Sequence, residues 1–161
     1  RGAYEAGVKV SAAYPGTPST EISEYLVQYK DDLYCEWSPN EKVATEVAIG
    51  ASVAGTRAMS CMKHVGFNVA ADPPIPFLIW ELTEGWVIIV ADDPGLYSSQ
   101  NEQDTPYGGK SSAAPVLEPS DSSEAKEFMK MAFDLSEKFD RPFCFPYDNK
   151  AGTFPGNRRA S

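Results

Sequence analysis

One carboxylate, one imidazole and a group of hydroxyls are the side chains of this sequence best suited to chemistry. Glu41 stands in "SPNEKVATEVA", and His64, the only histidine of the chain, stands in "KHVGFN". Thr17, Ser19 and Thr20 place three hydroxyls on "YPGTPSTEI", where the cap of a helix needs only one. A carboxylate held in a crevice can share a proton with a ligand nitrogen, which is the chemistry that Glu41 suggests.

Each of these residues also has a structural interpretation. Carboxylates are common in the first turn of a helix, where they complement the helix dipole by about 0.3–1 kcal/mol. Loop histidines serve structure more often than catalysis, although His64 follows a predicted strand. Capping and turn formation account for one or two of the hydroxyls at Thr17, Ser19 and Thr20. Gly66 would allow a backbone to approach a ligand closely.

Common nucleotide, metal and hydrolase motifs are absent from the sequence. It has no GxGxxG, no Walker-type loop, no HExxH and no GxSxG. Cys35, Cys61 and Cys144 are widely separated, without a CxxC pair, which excludes a disulfide framework and an iron–sulfur or zinc motif within this chain. The acidic stretch 92–104 matches no EF-hand spacing and predicts a surface or interface loop with a turn at 93–95.

Length, composition and charge restrict the class of protein. The 161 residues are 42% hydrophobic, which predicts one globular domain over residues 1–161. A net charge of −9 argues against nucleic acid and membrane partners. The chain shows no charged-then-apolar leader and no long uncharged stretch, so we expect a soluble cytoplasmic protein. The helix that Gly7 would end has no visible beginning, which predicts a fragment of a larger subunit.

Predicted strands alternate with predicted helices along the chain. The strands are apolar throughout, as in a parallel sheet covered by helices on both faces, so the predicted fold class is α/β. The predicted strands span residues 8–14, 33–38, 57–63, 86–93 and 115–120, and the predicted helices span residues 17–32, 39–55 and 120–140.

Helical spacing also predicts which side chains face the core. The expected apolar faces contain Ile22, Tyr25, Leu26 and Tyr29 in one helix, and Phe128, Met131, Ala132 and Leu135 in the last. In such sheets, ligands bind at the carboxyl ends of the strands. That rule selects four connections, at residues 14–20, 36–41, 62–68 and 91–104.

Three stretches fit the alternation poorly. Residues 72–86 stand where a covering helix is due, yet their three prolines oppose a regular helix at its start. Residues 105–113 have a loop-like composition. Residues 143–161 begin as a strand and then lose all periodicity, so this stretch is expected to be an irregular tail.

Four blocks of the sequence together resemble the amino-terminal region of the indolepyruvate:ferredoxin oxidoreductase alpha subunit family. These enzymes use thiamine diphosphate and belong to the 2-oxoacid:ferredoxin oxidoreductase superfamily. The blocks follow the family's order and cover roughly two thirds of the chain: "YPGTPSTEISEYL", "EWSPNEKVATEVAIGASVAGTRAMSCMKHVGFNVAADP", "VIIVADDPGLYSSQNEQD" and "PVLEPSDSSEAKEFMKMAFDLSEKFDRP". The chain departs from the family at 72–86, at 105–113 and after residue 142, where the family has a helix, an aromatic and basic stretch, and a strand.

The resemblance implies a pyrimidine-binding domain of the thiamine diphosphate fold and assigns roles to five residues. Glu41 matches the glutamate that such domains aim at N1′ of the aminopyrimidine, where it promotes loss of the thiazolium C2 proton. Thr17 matches a threonine near the substrate carboxylate. His64, Gly66 and Asn68 would face the same crevice, with His64 toward the substrate and the other two toward the cofactor.

The implied reaction is oxidative decarboxylation of an arylpyruvate, with electrons passing to ferredoxin and the acyl group to coenzyme A. The chain lacks the "GDG…N" pattern that binds the diphosphate through Mg²⁺, and it lacks cysteines for 4Fe–4S clusters. Those parts are expected in the remainder of the alpha subunit and in a beta subunit. The alternatives are a pyruvate or branched-chain 2-oxoacid enzyme of the same superfamily, and a non-catalytic α/β interaction domain.

Overall fold

The computed structural model describes residues 1–72, 82–95, 98–101 and 115–148. The strands are β1 (Val10–Ala13), β2 (Tyr34–Trp37), β3 (Ala58–Lys63), β4 (Trp86–Asp92) and β5 (Phe143–Asp148). The helices are α1 (Gly2–Glu5), α2 (Thr20–Leu26, followed by a 3₁₀ turn at Val27–Tyr29), α3 (Glu41–Val53), α4 (His64–Val69) and α5 (Ser122–Phe139).

All five strands form one parallel sheet in the order β2-β1-β3-β4-β5. Every residue of β3 is buried, and so is nearly all of β4, as expected for strands covered on both faces. The edge strand β2 differs from that expectation, because Tyr34 is 58% exposed and Trp37 is 46% exposed. The predicted parallel α/β architecture is confirmed, although β2 is only partly buried.

Two hydrophobic cores cover the two faces of the sheet. One core joins side chains of α1, α2 and α5 to the sheet, including Ala3, Leu26, Phe133, Val87 and Ile89. The other joins α3 to the opposite face, including Ala48, Ile49, Met62, Ile88 and Val90. The helices therefore lie on both sides of the sheet, as the sequence predicted.

The fifth strand is not the one predicted at residues 115–120. In that segment only Val116 forms a bridge, to Cys144. The strand is β5, which pairs with β4 over six residues from Phe143 to Asp148. Residues 143–161 thus begin as a strand, as the sequence predicted. Residues 73–81, 102–114 and 149–161 of the irregular stretches lie outside the described part of the chain.

The two predicted apolar faces are confirmed except for one exposed residue in each helix. In α2, Leu26 is buried and Ile22 and Tyr29 pack against the same core, whereas Tyr25 is 68% exposed. In α5 the buried set is Met129, Ala132, Phe133 and Ser136, while Met131 is 41% exposed. Phe128 and Leu135 of the predicted face also pack against this core.

Arg57 ties β3 to α5 and α1 at the amino end of the sheet. Its guanidinium donates to Glu137 (2.5 and 2.7 Å), to Asp134 (2.8 Å) and to the carbonyl of Ala6 (2.8 Å). The Arg57 guanidinium lowers the pKa of Glu137, so the carboxylate stays ionised beside it. This bidentate pair fixes the carboxyl-terminal half of α5 against the sheet.

The cysteines are free thiols. Cys61 and Cys144 are fully buried, and burial raises the pKa of each thiol to about 12. Cys35 on the edge strand is only half-buried. Two of the three cysteines are thus part of the hydrophobic cores.

Among the described helices, none combines the length and the apolar character that crossing a bilayer would require.

Candidate functional site

The candidate site lies at the carboxyl edge of the sheet, where the strand registers bring four chain segments together. Ala13, the last residue of β1, pairs with Trp37 on one side and with Cys61 on the other. Strand β3 continues two residues further, to Lys63, which pairs with Ala91 of β4. Ala13, Trp37 and Cys61 thus lie side by side across the sheet. Three of the four connections that the sequence selected, at residues 14–20, 36–41 and 62–68, begin within about one residue of this row.

The hydroxyls of the β1–α2 connection close a turn and do not cap α2. Ser19 Oγ donates to the Gly16 carbonyl (2.6 Å), and the Gly16 amide donates to Thr20 Oγ1 (2.8 Å). No side-chain hydrogen bond caps α2 at Ser19. The capping interpretation of Ser19 and Thr20 is therefore wrong, because both hydroxyls bond to Gly16. Thr17, in contrast, is exposed at this edge of the sheet.

Lys63 connects the ends of three strands. A Cβ at Gly16 would lie 3.3 Å from Lys63 Cβ, so the β1–α2 connection approaches the end of β3. The Lys63 side chain is buried, and its Nζ donates to the carbonyl of Ser98 beyond β4. A buried ammonium at the end of β3 thus holds the segment that follows β4 against the segment that follows β1.

Glu41 is the first residue of α3 and so lies in its first turn, as predicted. The helix begins there because the side chain of Asn40 accepts a hydrogen bond from the Val43 amide (2.9 Å). The main-chain carbonyl of Glu41 accepts from Thr45 Oγ1 (2.9 Å). The Glu41 side chain is half-buried, and within the described residues its carboxylate has no hydrogen-bond or ion-pair partner. A carboxylate held by helix geometry with both oxygens available is suited to a ligand nitrogen.

Replacing Asn40 with Ala is expected to lower the free energy of unfolding of this part of the chain by about 0.5–2 kcal/mol, since the Val43 amide loses its acceptor. The measurement is thermal unfolding of the protein, together with amide exchange in the first turn of α3. Asn40→Asp is the matched control, because aspartate also accepts at this position. Equal losses for Ala and Asp would contradict the capping role.

Gly66 of α4 lies directly against the Glu41 side chain. A Cβ built on Gly66 would lie 2.6 Å from Glu41 Cγ and 2.8 Å from Cδ. The missing side chain of Gly66 therefore makes the space that the Glu41 side chain fills. The sequence predicted that Gly66 would let a backbone approach a ligand, whereas in the structure the closest neighbour is this carboxylate.

His64 and Asn68 lie on a different side of α4 from Gly66. His64 is 1% exposed, and its Nε2 lies 3.0 Å from the carbonyl of Asn101. Its Nδ1 is buried and has no hydrogen-bond partner in the described part of the chain. Asn68 is exposed. At about 100° per residue, His64 and Asn68 lie roughly opposite Gly66 around α4, so these three residues do not face one crevice as expected.

Two charged residues at this edge were not among the predicted site residues. One is Lys63, described above. The other is Asp93, which is 2% exposed and accepts from the Ser98 amide (2.7 Å) and the Ser99 hydroxyl (2.5 Å). Gly95 has φ +93°, consistent with the predicted turn at 93–95. A charge placed directly at the end of a buried strand is the signal that could have indicated both residues.

The described donor set suits an organic nitrogen. In the described ranges, no group of three or more histidine, cysteine or acidic side chains is arranged to hold a metal ion. The candidate polar side chains at this edge are one carboxylate, one imidazole and one ammonium, at Glu41, His64 and Lys63. The Glu41 side chain packs on Gly66 and its carboxylate has no partner in the described residues, so it can share a proton with a ring nitrogen.

A family model described as "Pyruvate flavodoxin/ferredoxin oxidoreductase, thiamine diP-bdg" matches residues 1–153 of the chain. Over 148 residues the chain is 56% identical to indolepyruvate oxidoreductase subunit IorA of Archaeoglobus fulgidus, a match that covers 88% of this chain and 24% of that one. The subunit of the same name from Thermococcus kodakarensis is 55% identical over 141 residues, covering 86% and 22% of the two chains. The chain thus spans about a quarter of the length of these relatives.

A relative and a solved structure are similar to this chain at lower sequence identity. A 2-oxoglutarate synthase subunit KorA of Methanocaldococcus jannaschii is 26% identical over 162 residues, covering 94% of this chain and 44% of the relative. Among solved structures, a 2-oxoglutarate:ferredoxin oxidoreductase from Magnetococcus marinus has a similar fold, with a TM-score of 0.80 over 91% of this chain and 27% of that one. The identity to that structure is 21%, so this similarity supports the fold alone.

Proposed function

The chain belongs to the pyruvate flavodoxin/ferredoxin oxidoreductase family of thiamine diphosphate-binding domains, and from that premise we propose that it holds the aminopyrimidine of the cofactor in an arylpyruvate-oxidising enzyme. The observation that carries this proposal is the Glu41 carboxylate. It begins α3 at the carboxyl edge of the sheet, it is half-buried, and it packs on Gly66. Residues 1–161 are proposed to be one domain of that enzyme.

In the proposed mechanism Glu41 holds a proton at N1′ of the aminopyrimidine. When bound, the cofactor would supply a nucleophilic carbon at thiazolium C2 and an electron sink for decarboxylation. Glu41 would favour that reactivity because a proton held at N1′ makes the exocyclic amino group more acidic, and its nitrogen can act as a base once it has lost a proton. The geometry supports this role, since the first turn of α3 holds the carboxylate on a rigid element.

The proposed substrate is indolepyruvate, because the relatives that are 55–56% identical carry the name indolepyruvate oxidoreductase subunit. Ferredoxin is proposed as electron acceptor and coenzyme A as acyl acceptor. Mg²⁺, the 4Fe–4S clusters and a beta subunit are proposed for the rest of the complex, since this chain has no metal-ligand group in its described part. A cytoplasmic location completes the proposal, because its thiols and its soluble electron carrier suit a reducing compartment.

Two other residues have proposed roles at the substrate. Thr17 lies exposed on the connection after β1, where its hydroxyl is available to a substrate carboxylate. His64 offers its buried Nδ1, while Nε2 bonds the Asn101 carbonyl and is thereby the nitrogen that carries a proton. The proposed cofactor role of Asn68 has weaker support, because its side chain lies on the exposed side of α4.

The proposed function is tested on the complete enzyme, purified with its partner subunit under reducing, oxygen-free conditions. We expect reduction of ferredoxin to depend on thiamine diphosphate and coenzyme A, and to be fastest with indolepyruvate. Parallel assays contain pyruvate, a branched-chain 2-oxoacid and 2-oxoglutarate. A higher kcat/KM with one of these would reassign the substrate. No turnover with any 2-oxoacid, and no cofactor binding, would favour the non-catalytic α/β domain.

A further inference from the structure

Gly66 is a buried glycine inside a helix, a position where glycine lowers the stability of the helix. Glycine stabilises a helix interior less than alanine does, so its presence in α4 calls for a packing reason. The three heavy atoms nearest to a Cβ built there all belong to the Glu41 side chain. All three, including Cγ at 2.6 Å and Cδ at 2.8 Å, lie closer than real Cβ contacts allow. The reason for the glycine is therefore one specific side chain.

We infer that Gly66 is a positioning residue for Glu41. Because Gly66 has no side chain, the Glu41 side chain packs directly on the backbone of α4, and we call this contact surface at Gly66 the seat of Glu41. The contact holds the carboxylate toward the cofactor. This inference rests on the proposed role of Glu41 at N1′. It replaces the role expected from the sequence, in which Gly66 would let a backbone approach the ligand itself.

The need for such a seat follows from the length of the side chain. The Asn40 cap and the first turn of α3 fix the main chain of Glu41, but three rotatable bonds remain between that main chain and the carboxylate. No hydrogen bond or ion pair in the described residues orients the carboxylate. Contact of Cγ and Cδ with Gly66 restricts the first two of these bonds. A methyl group at residue 66 would occupy the seat and turn the side chain away.

Gly50 offers a matched control. It is a second helical glycine, on the exposed side of α3, and a Cβ built there meets nothing within 4 Å. Gly50→Ala and Gly66→Ala therefore make the same chemical change and the same gain in helix propensity. Only the second change fills the space that Glu41 occupies.

The first readout is deuterium exchange at C2 of thiamine diphosphate bound to the complete enzyme, without 2-oxoacid. Gly66→Ala is expected to slow this exchange at least tenfold, while Gly50→Ala leaves it unchanged. Combined with Glu41→Gln, Gly66→Ala should add no further slowing, because both changes remove the same proton contact. Exchange at the wild-type rate in Gly66→Ala, or effects that multiply in the double variant, would overturn the inference.

The second readout needs no cofactor. Thermal unfolding of the cofactor-free protein is compared for Gly66→Ala with Glu41 present and in a Glu41→Ala background, where Cγ and Cδ are gone. We expect Gly66→Ala to lower the midpoint with Glu41 present and to lower it less, or raise it, without Glu41. Equal losses in both backgrounds would show that the methyl group meets something else. This cycle reports on the seat even if Glu41→Gln leaves C2 exchange unchanged, which would reject the proposed function alone.

Discussion

In the complete enzyme, Glu41→Gln is expected to lower the rate of ferredoxin reduction by about 10²–10⁴-fold, the range typical of a lost proton-transfer group. The substitution keeps the size and shape of the side chain, and Gln fits the same space over Gly66. The substitution replaces the carboxyl group by an amide, which cannot exchange a proton with N1′. C2 deuterium exchange of the bound cofactor should slow in parallel.

Glu46→Gln is the control for this substitution. Glu46 is an exposed acid on the same helix, so the change removes one negative charge from α3 without touching the seat at Gly66. We expect its kcat and its C2 exchange to match those of the unmodified enzyme. Exchange at the unmodified rate in Glu41→Gln would reject the role assigned to Glu41, whatever happens to ferredoxin reduction.

Replacing Phe133 with Ala is expected to lower the local free energy of unfolding by about 3–5 kcal/mol, as for other large-to-small changes in a packed core. Phe133 is fully buried in α5, and a Cβ at Gly85 would lie 3.0 Å from its ring. The Arg57 guanidinium lies 5.8 Å from the ring centroid. Removing the ring would therefore leave a cavity between α5 and β4 and uncover one side of the Arg57–Glu137 pair.

The measurement is hydrogen–deuterium exchange of peptides from β4 and α5 in the complete chain, because it reports local opening within a larger protein. A loss of about 3–5 kcal/mol corresponds to exchange about 10²–10⁴-fold faster where local unfolding limits it. Phe139→Ala, on the same helix at a position that is 56% exposed, should change exchange little. Similar acceleration in both variants would show that α5 is not anchored through Phe133.

The sequence predicted the element that carries Glu41 because every signal there is local. An asparagine next to the first helical residue caps α3, and Gly55, with φ +89°, follows its end. The parallel arrangement of the sheet follows from buried strands that alternate with helices. The order of the strands depends on tertiary packing, which no local pattern encodes. Helix and strand ends that are set by neighbouring residues therefore agree with the predictions to within a few residues.

The predictions from sequence were wrong where the same local sequence allows two different sets of hydrogen-bond partners. Ser19 and Thr20 could cap α2 or bond back to Gly16, and only the path of the turn decides between them. In α5, Ser136 was not counted in the buried face because serine is polar. It is buried because its hydroxyl accepts from the Trp86 amide and donates to the Arg141 carbonyl. That satisfied hydroxyl extends the buried face of α5 beyond the predicted one.

The contact between Glu41 and Gly66 could not be predicted from the sequence, for a different reason. Gly66 and Glu41 are 25 positions apart, and their contact depends on how α4 packs against α3. A glycine in "KHVGFN" has many interpretations from local sequence alone, including close approach of a ligand. The structure selects among them through one tertiary contact.

The junction of β3 and α4 has a consequence for tolerated changes in chain length. Lys63 ends the strand and His64 begins the helix, with no residue between them. Inserting or deleting one residue there would rotate the rest of α4 by about 100° and carry Gly66 away from Glu41. Six residues separate β1 from α2, so length variation is better absorbed there. We therefore expect insertions and deletions within this family to accumulate after β1 and to be excluded between β3 and α4.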